Sequence, residues 1–417
     1  MPPAEGGGME IYMQNVSISY YMCINNKEVN KKILRMILFF TGLFLWYYHI
    51  FLKSVWYSFN FDYDKMAKYS VYCFIGIIAM DFFQMRFSEI LWWGIFFCIC
   101  YKSAVDCGTN WYNSVFSIAL MVVAARNIDF VDICDALYKV ALISIICVII
   151  SYYLGITYHE PFDPEGRIRY QIGFNFYSVA PFKFLGVVFP GIYAQHYKRK
   201  NGASWMFIIL CFIISTYIYI MTDTRWTHLI SLLYLMMYVI VYKLNLQFLK
   251  CIPKIVYISS MSVATVILVM LSKFYDSSSK IWNFIDKKLT NTRVANVQIA
   301  IKEYGISFWG RNIIYRTSDN EKGYFYIDSG YMQVLFQFGL VCLIAFAFVY
   351  AIIIKFAIEK KDWVLLLWIV CMILFNMLNE MLFAVDRATC ILVAGYALKY
   401  ITFDKYKCVR KREYGYI

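Results

Sequence analysis

Long apolar runs separated by short polar stretches constrain this chain more than any other feature. A helix needs about 20 apolar residues to cross about 30 Å of hydrocarbon, and these runs are roughly that long. Of the 417 residues, 61% are hydrophobic and 16% are charged, against about 45–50% and about 25% in an ordinary soluble domain. One soluble core could not bury this excess. We therefore predict an all-α, polytopic membrane protein.

The apolar runs predict about twelve transmembrane helices and one large extracytoplasmic loop. We expect a single multi-span membrane domain over residues 1–403 and a basic cytoplasmic tail over 404–417. The predicted spans are 33–53, 66–83, 88–104, 111–125, 136–156, 176–195, 204–221, 225–243, 253–273, 329–355, 362–382 and 387–403.

Basic residues predict which side of the membrane each loop occupies. Lysines and arginines precede the first span and follow the last, which places both termini in the cytoplasm. The same rule explains the net charge of +13 without a nucleic-acid partner. Two long loops, 157–175 and 274–327, then lie outside. The cytoplasmic loops are short and carry no glycine-rich phosphate-binding motif, so we predict that the functional site lies on the outer face.

The 13 cysteines fall mostly inside apolar runs and form no C-x-x-C motif. This distribution is typical of small apolar packing residues rather than of a metal framework. We predict no metal site and no cofactor.

Arg225 and His228 share one helical face where the seventh predicted span ends and the eighth begins. Arginine at a membrane boundary is commonly an anchor whose head reaches water. It can also bind phosphate oxygens through two parallel hydrogen bonds. Both interpretations stay open for Arg225 at this point.

The outer loop 157–175 concentrates charged residues, among them His159, Arg167 and Arg169, and Lys183 follows in the next span. Such a cluster is either a solvated loop or the lining of a cavity between two spans. We count these four residues as candidate substrate-binding residues.

Arg293 opens a predicted amphipathic helix in the large loop, with apolar residues at helical spacing. Such a helix would lie on the membrane surface or cover a groove. Arg311 follows in the sequence FWGRN. We consider Arg293 a candidate catalytic residue and Arg311 a candidate substrate-binding residue.

Two acidic residues stand at or inside predicted spans. Asp328 precedes the tenth span, with Tyr331 one turn away, and either stabilises the helix N-terminus or accepts a proton from a sugar hydroxyl. Glu380 lies in the outer part of the eleventh span, one turn from Asn376. An ionisable group inside a span costs about 2.5–3.5 kcal/mol. Glu380 is therefore either a partner in a helix-packing hydrogen bond or a functional carboxylate.

Three stretches resemble bacterial O-antigen polymerases and ligases. IISTYIYIMTDTRWTHLISLLYLMMYVIV resembles their span, Ser/Thr-Arg turn and span, and TRVANVQIAIKEYGISFWGRN followed by DSGYMQVLFQFGLVCLIAF resembles the segment after it. GRIRYQIGF resembles their Arg-then-Gly-Phe outer loop, although Asn175-Phe176-Tyr177 replaces the usual Pro-Asn.

This resemblance implies a Wzy-type polymerase that joins polyprenyl pyrophosphate-linked oligosaccharides on the outer face of a bacterial plasma membrane. The product would be capsule, exopolysaccharide or O-antigen. Arg225, Arg293 and one of Arg167 or Arg169 correspond to the family's arginines. Asp328 stands where ligases tend to carry His, which favours a polymerase. The implied partners are membrane lipids, a flippase and a chain-length regulator.

Three other functions remain open at this stage. A flippase or polysaccharide transporter would suit twelve spans, but such folds usually show internal repeats, and none is visible here. A ligase would differ mainly in its acceptor. A non-enzymatic scaffold gains no support from the arginine-rich outer loops. In the polymerase interpretation, Arg225, Arg293, Asp328 and Glu380 are catalytic, and the substrate-binding residues are Arg167, Arg169, His159, Lys183, His228, Arg311 and Tyr331.

Overall fold

A computed structural model describes residues 7–57, 62–157, 161, 168–245, 248–284, 286, 290, 292–316, 324–380, 382 and 384–401. Side chains are described from residue 29 onwards, except those of residues 113, 248, 250 and 283. The described residues form helices and connecting turns. Isolated β-bridges join Val55 with Phe174 and Arg316 with Phe325. The predicted all-α class is confirmed.

Fifteen α-helices follow one another along the described chain. They are α1 (Gly7–Lys53), α2 (Tyr63–Asp81), α3 (Phe87–Asp106), α4 (Val115–Ala124), α5 (Phe130–Tyr153), α6 (Val179–Lys198), α7 (Trp205–Thr222), α8 (Arg225–Tyr238), α9 (Lys254–Lys273), α10 (Lys280–Phe284), α11 (Arg293–Glu303), α12 (Gly330–Gln333), α13 (Leu340–Lys360), α14 (Trp363–Asn376) and α15 (Val393–Lys399).

Seven helical segments in the described part of the chain are long and apolar enough to cross a membrane. They are Val29–Lys53, Tyr63–Gln84, Phe130–Tyr153, Trp205–Thr222, Arg225–Lys243, Lys254–Lys273 and Leu340–Lys360. Three shorter apolar helices are Val115–Asn127, Trp363–Asn376 and Thr389–Lys399. These segments agree with a multi-span membrane protein, whereas the count of twelve spans stays a prediction.

The predicted span 329–355 is not one helix. It breaks at Gly339, whose φ of 92° is accessible mainly to glycine. The N–H groups of Leu340 and Val341 donate to the carbonyl oxygens of Ser307 and Phe308, at 2.9 and 3.1 Å. Broken helices are tolerated at membrane depth where protein satisfies the freed backbone groups. Part of the predicted outer loop therefore packs against this break.

The predicted spans 362–382 and 387–403 also differ from the structure. Helix α14 ends at Asn376, an irregular segment follows, and a 3₁₀ turn, Thr389–Leu392, leads into the short α15. Residues Val385, Asp386 and Ala388 in the irregular segment are nevertheless buried. Glu380 thus belongs to a buried connection rather than to a helix.

The amphipathic helix predicted in the large loop is present as α11, but it does not lie free on a surface. Val294, Val297 and Ala300 are buried, and the helix packs against α9. Residues 285, 287–289, 291 and 317–323 of the large loop lie outside the described residues.

The helix ends meet in two groups at opposite ends of the bundle. At one end, which we call the site face, the N–H of Tyr170 donates to Met221 O (2.8 Å) and that of Gly330 to Asn379 O (3.0 Å). At the other end, the opposite face, Tyr193 donates to Asp362 (2.9 Å). Helix α14 runs from the opposite face to the site face, because Asp362 precedes it and Asn379 follows it.

Candidate functional site

Four charged residues gather at the site face, where α11, α12 and the segment after α14 meet. We call Arg293, Asp328, Glu380 and Arg387 the charged cluster. Arg293 is the first residue of α11, Asp328 precedes α12, and the other two follow α14.

Arg293 joins two of these segments. Its Nε donates to Oδ2 of Asp328 at 3.3 Å, and its Nη2 donates to Oδ1 of Asn379 at 3.5 Å. The side chains of Arg293 and Asp328 are 15% and 30% exposed, so the pair is open to a ligand at one edge. Burial raises the pKa of Asp328, and the charge and hydrogen bond of Arg293 oppose that rise.

Glu380 is held by two donors from the neighbouring segment. Tyr326 Oη donates to its Oε2 at 2.5 Å, and Gln333 Nε2 donates to the same oxygen at 3.0 Å. Burial is the main reason why the pKa of Glu380 is raised to about 7, and the Asp328 carboxylate adds to the rise. The Tyr326 hydrogen bond and the Arg387 guanidinium oppose it. A carboxyl group that titrates near neutral pH suits proton transfer.

A glycine brings the two halves of the cluster together. A Cβ on Gly330 would lie 2.7 Å from Oδ1 of Asn376 and 3.1 Å from the carbonyl oxygen of Asn379. Only glycine lets α12 approach the end of α14 this closely. Ser329 Oγ also donates to Asn376 O, at 3.2 Å.

Arg169 lies beside the charged cluster. Its guanidinium is 4.6 Å from the centre of the Tyr177 ring, and its Nη2 is 3.9 Å from Oδ2 of Asp223. The half-exposed Tyr324 interacts electrostatically with both Tyr177 and Asp328. These contacts place the described end of the 157–175 loop next to the cluster. His159 and Arg167, two further candidates from that loop, lie outside the described residues.

Arg225 and His228 are not drawn into the charged cluster by any contact described here. The Arg225 side chain is 58% exposed, and its Nε lies 3.4 Å from Oδ1 of Asp223. His228 Nδ1 is 3.0 Å from Ser215 Oγ, and its ring stacks on Tyr219. The structure therefore places Arg225 at the exposed rim of the site face, where Asp223 is a partner of both Arg225 and Arg169.

Lys183, Tyr331 and Arg311 lie deeper than the sequence analysis predicted. The Lys183 side chain is 1% exposed and pairs with Asp386. The Tyr331 ring is fully buried, and its hydroxyl donates to Ile373 O at 2.7 Å. Arg311 donates to the carbonyl oxygen of Tyr304. These contacts give Tyr331 and Arg311 packing roles in the structure as it stands.

Asp386, Arg387, Tyr326 and Gln333 are parts of the site that the sequence analysis did not select as site residues. One signal was available, since Asp386-Arg387 interrupts an apolar stretch where charge is costly. For Tyr326 and Gln333 no such signal exists, because tyrosine and glutamine are common at membrane boundaries and in loops.

Comparisons with models of known protein families, with curated proteins and with solved structures find no match. Among the described residues, no three His, Cys, Asp or Glu side chains group as metal ligands. The site is therefore described by its own residues: guanidinium groups lie beside two carboxyl groups whose pKa is raised.

Proposed function

We propose that the protein is a polymerase that joins polyprenyl pyrophosphate-linked oligosaccharide units on the outer face of a bacterial plasma membrane. The observation that supports this most is the meeting of Arg293, Asp328 and Glu380 at one end of the bundle. These groups come from segments 35 to 87 residues apart in sequence. Their assembly in one place supports the proposal, because the reaction needs an acid–base group and a cation at the same site.

The reaction needs an acid–base group and a stabiliser of negative charge. The acceptor sugar hydroxyl attacks the anomeric carbon of the donor, the bond from that carbon to the pyrophosphate oxygen breaks, and the polyprenyl pyrophosphate leaves. Glu380 or Asp328 takes the hydroxyl proton. Arg293 stabilises the charge that develops on the pyrophosphate, an effect that is large where water is scarce.

The proposed orientation follows the positive-inside rule. With both termini in the cytoplasm, the site face lies outside, where no nucleotide is available. A lipid-linked sugar carries its own leaving group there. The exposed rings of Tyr324 and Trp309 could also stack on sugars.

A flippase or polysaccharide transporter is the second candidate, favoured by one observation. The break at Gly339 resembles the discontinuous helices that form substrate sites in transporters. The ionisable side chains of the cluster, however, lie at one end of the bundle and not at its middle. An O-antigen ligase would use the same groups with a different acceptor.

The test is to replace Arg293 with Ala in a cell that depends on this protein for long polymer. We expect normal protein level, loss of long polymer and accumulation of single lipid-linked units on the outer face. Lys302→Ala is the matched control, because Lys302 is an exposed cation on the same helix. Accumulation on the inner face would favour the flippase, and normal polymer in Arg293→Ala would refute the polymerase site proposed here.

A further inference from the structure

A long groove runs along one side of α3, away from the charged cluster. Its volume is about 560 Å³, within the range of about 300–1,000 Å³ for ligand-binding pockets. Most of its lining belongs to one face of α3, at helical spacing, and one residue comes from the large loop. The lining residues are Phe87, Ile90, Leu91, Gly94, Ile95, Cys98, Ile99, Lys102 and Trp309. Lys102 carries the only charge among them, so the groove is an apolar channel with a cation near one end.

Gly94 leaves room in the middle of the groove. A Cβ there would meet no atom within 4 Å. The side chains of Leu91 and Ile95 beside it are exposed, so the described chain leaves this apolar surface open. A contiguous exposed apolar surface of this kind marks an interaction site.

Helix α3 crosses from the opposite face to the site face. Glu89 near its start pairs with Arg126 at the opposite face. Gly108, just after its end, lies beside the large loop, since a Cβ there would be 3.9 Å from Nδ2 of Asn312. The 20 residues of α3 span about 30 Å, which is the thickness of the hydrocarbon layer. The Lys102 end of the groove therefore lies at the boundary of this layer on the side of the site face.

Trp309 forms a wall of the groove at the same boundary. The N–H of Leu340 donates to Ser307 O at 2.9 Å, which fixes this part of the loop to the start of α13. Helix α13 has 21 residues, spans about 30 Å and ends at Lys360, so its start lies one hydrocarbon thickness from the opposite boundary. The Phe308 side chain is 69% exposed there, and tryptophan is enriched at this depth of a membrane. Lipid therefore covers this segment of the loop.

Two opposite charges stand at this end of the groove. Lys102 Nζ lies 2.6 Å from Oδ1 of Asp106, and the two side chains are 52% and 26% exposed. Such a pair matches a zwitterionic headgroup, whose phosphate faces the lysine and whose ammonium group faces the carboxylate. A purely anionic headgroup would meet Asp106 with a like charge.

The groove also has the right length for one lipid chain. Gly94 lies eight residues before Lys102, a distance of about 12 Å along the helix. One leaflet of the hydrocarbon layer is about 15 Å thick. An acyl chain whose headgroup lies at Lys102 therefore reaches Gly94.

We propose that this groove binds a phospholipid with a zwitterionic phosphate–ammonium headgroup, taken from the leaflet at the site face, with one acyl chain along α3. The site lies outside the charged cluster and does not depend on the proposed reaction. The Trp309 ring packs on the acyl chain in this arrangement, which leaves Tyr324 as the exposed ring for a sugar. The lipid thereby supports the loop segment that closes the helix break at Gly339.

The test measures lipid binding to the full-length protein in detergent by native mass spectrometry. The probes are dioleoylphosphatidylethanolamine, dioleoylphosphatidylglycerol and geranylgeranyl phosphate. We expect the wild type to bind the phosphatidylethanolamine about two- to fivefold more tightly than either other probe, the range for an exposed ion pair. Gly94→Leu fills the groove and should weaken that binding by at least about tenfold. Cys98→Phe fills it one turn nearer Lys102 and should act in the same way.

Two control variants accompany these measurements. Gly76→Leu on α2 should leave binding unchanged, although a Cβ at Gly76 likewise meets nothing within 4 Å. Asp106→Asn removes the carboxylate that faces the ammonium group and should abolish the preference for phosphatidylethanolamine over phosphatidylglycerol. Asp135→Asn breaks a pair of the same i, i+4 spacing, with Lys139, and should retain that preference. Melting temperatures measured without added lipid show which variants are folded.

Wild-type affinity in folded Gly94→Leu and Cys98→Phe variants would overturn the lipid site. A wild type that binds phosphatidylglycerol or geranylgeranyl phosphate as tightly as phosphatidylethanolamine would overturn the choice of a zwitterionic phospholipid. The same spectra report the oligomeric state. Loss of a dimer in Gly94→Leu would overturn the proposal in favour of a helix from a second copy of the chain.

Discussion

Nε of Arg293 lies 3.3 Å from Oδ2 of Asp328, which joins the start of α11 to the start of α12. The same guanidinium reaches Asn379, the residue before Glu380. One side chain thus connects the three segments that form the charged cluster.

The resemblance gives Arg225 and Arg293 equal importance, but we expect their substitution to lower the rate of chain extension by different amounts. Arg225 is 58% exposed at the rim, whereas Arg293 is 15% exposed and has two partners across the site. We expect Arg225→Ala to lower the rate of chain extension by less than about fivefold, as for an exposed ion pair worth about 0–1 kcal/mol. Arg293→Ala should lower it by at least about tenfold. Rates measured in proteoliposomes would decide, and equal losses would contradict the separation.

The rate of chain extension should depend on pH through Glu380. A carboxyl group with a raised pKa accepts a proton only when ionised, so we expect the rate to rise with pH through about 7. The groups acting on Glu380 are Tyr326, Gln333, Asp328 and Arg387. A pH–rate profile that is flat from about pH 5 to about pH 9, a range that spans this pKa, would argue against Glu380 as the base.

Two substitutions should move that profile in opposite directions. Asp328 raises the pKa of Glu380, so Asp328→Asn should shift the midpoint to lower pH. Arg387 lowers it, so Arg387→Gln should shift the midpoint to higher pH. The midpoint is compared within each variant, so a lower overall rate does not obscure it. Shifts in the same direction would mean that another group controls the profile.

Close contact at Gly330 should make this position intolerant of a side chain. Gly330→Ala places a Cβ 2.7 Å from Oδ1 of Asn376, and we expect a cost of about 1–3 kcal/mol and loss of activity. Gly76→Ala is the control, because a Cβ there meets nothing within 4 Å. Thermal unfolding in detergent and polymer length in cells measure the two effects. Wild-type behaviour of Gly330→Ala would show that the segments do not pack this closely.

A buried ion pair at the opposite face should stabilise the helix bundle without taking part in the proposed reaction. Arg126 Nη2 lies 2.6 Å from Oε2 of Glu89, and the side chains are 4% and 1% exposed. We expect Arg126→Met to destabilise the protein by about 3–5 kcal/mol, because it removes the guanidinium that pairs with the buried Glu89 carboxylate. Lys102→Met breaks the exposed pair with Asp106 and should cost far less. Similar melting temperatures for the two variants would contradict this difference.

The sequence predicted the helical membrane class and part of the site, for a clear physical reason. Apolar runs and charges within them carry large transfer free energies, so they are visible without a structure. Glu380 was selected in this way, whereas Arg293 was selected because it opens an amphipathic loop helix and Asp328 because it precedes a span. The structure brings these three residues together.

Features that depend on contacts across the bundle were not predictable. Nothing in the local sequence distinguishes Gly339, where a helix breaks, from other glycines in apolar stretches. Tyr326 and Gln333 matter because they meet Glu380 in three dimensions. Tyr331 was selected for its position one turn from Asp328, but it points into the core.

The last helix also has a consequence for how the chain is made. Lys399 Nζ donates to Oδ1 of Asn127 at 2.7 Å, and Asn127 donates in turn to Asp81, which Arg35 also contacts. A chain whose synthesis stops short of Lys399 would lack the cation that donates to Asn127, so the polar network that joins the earliest spans would be incomplete.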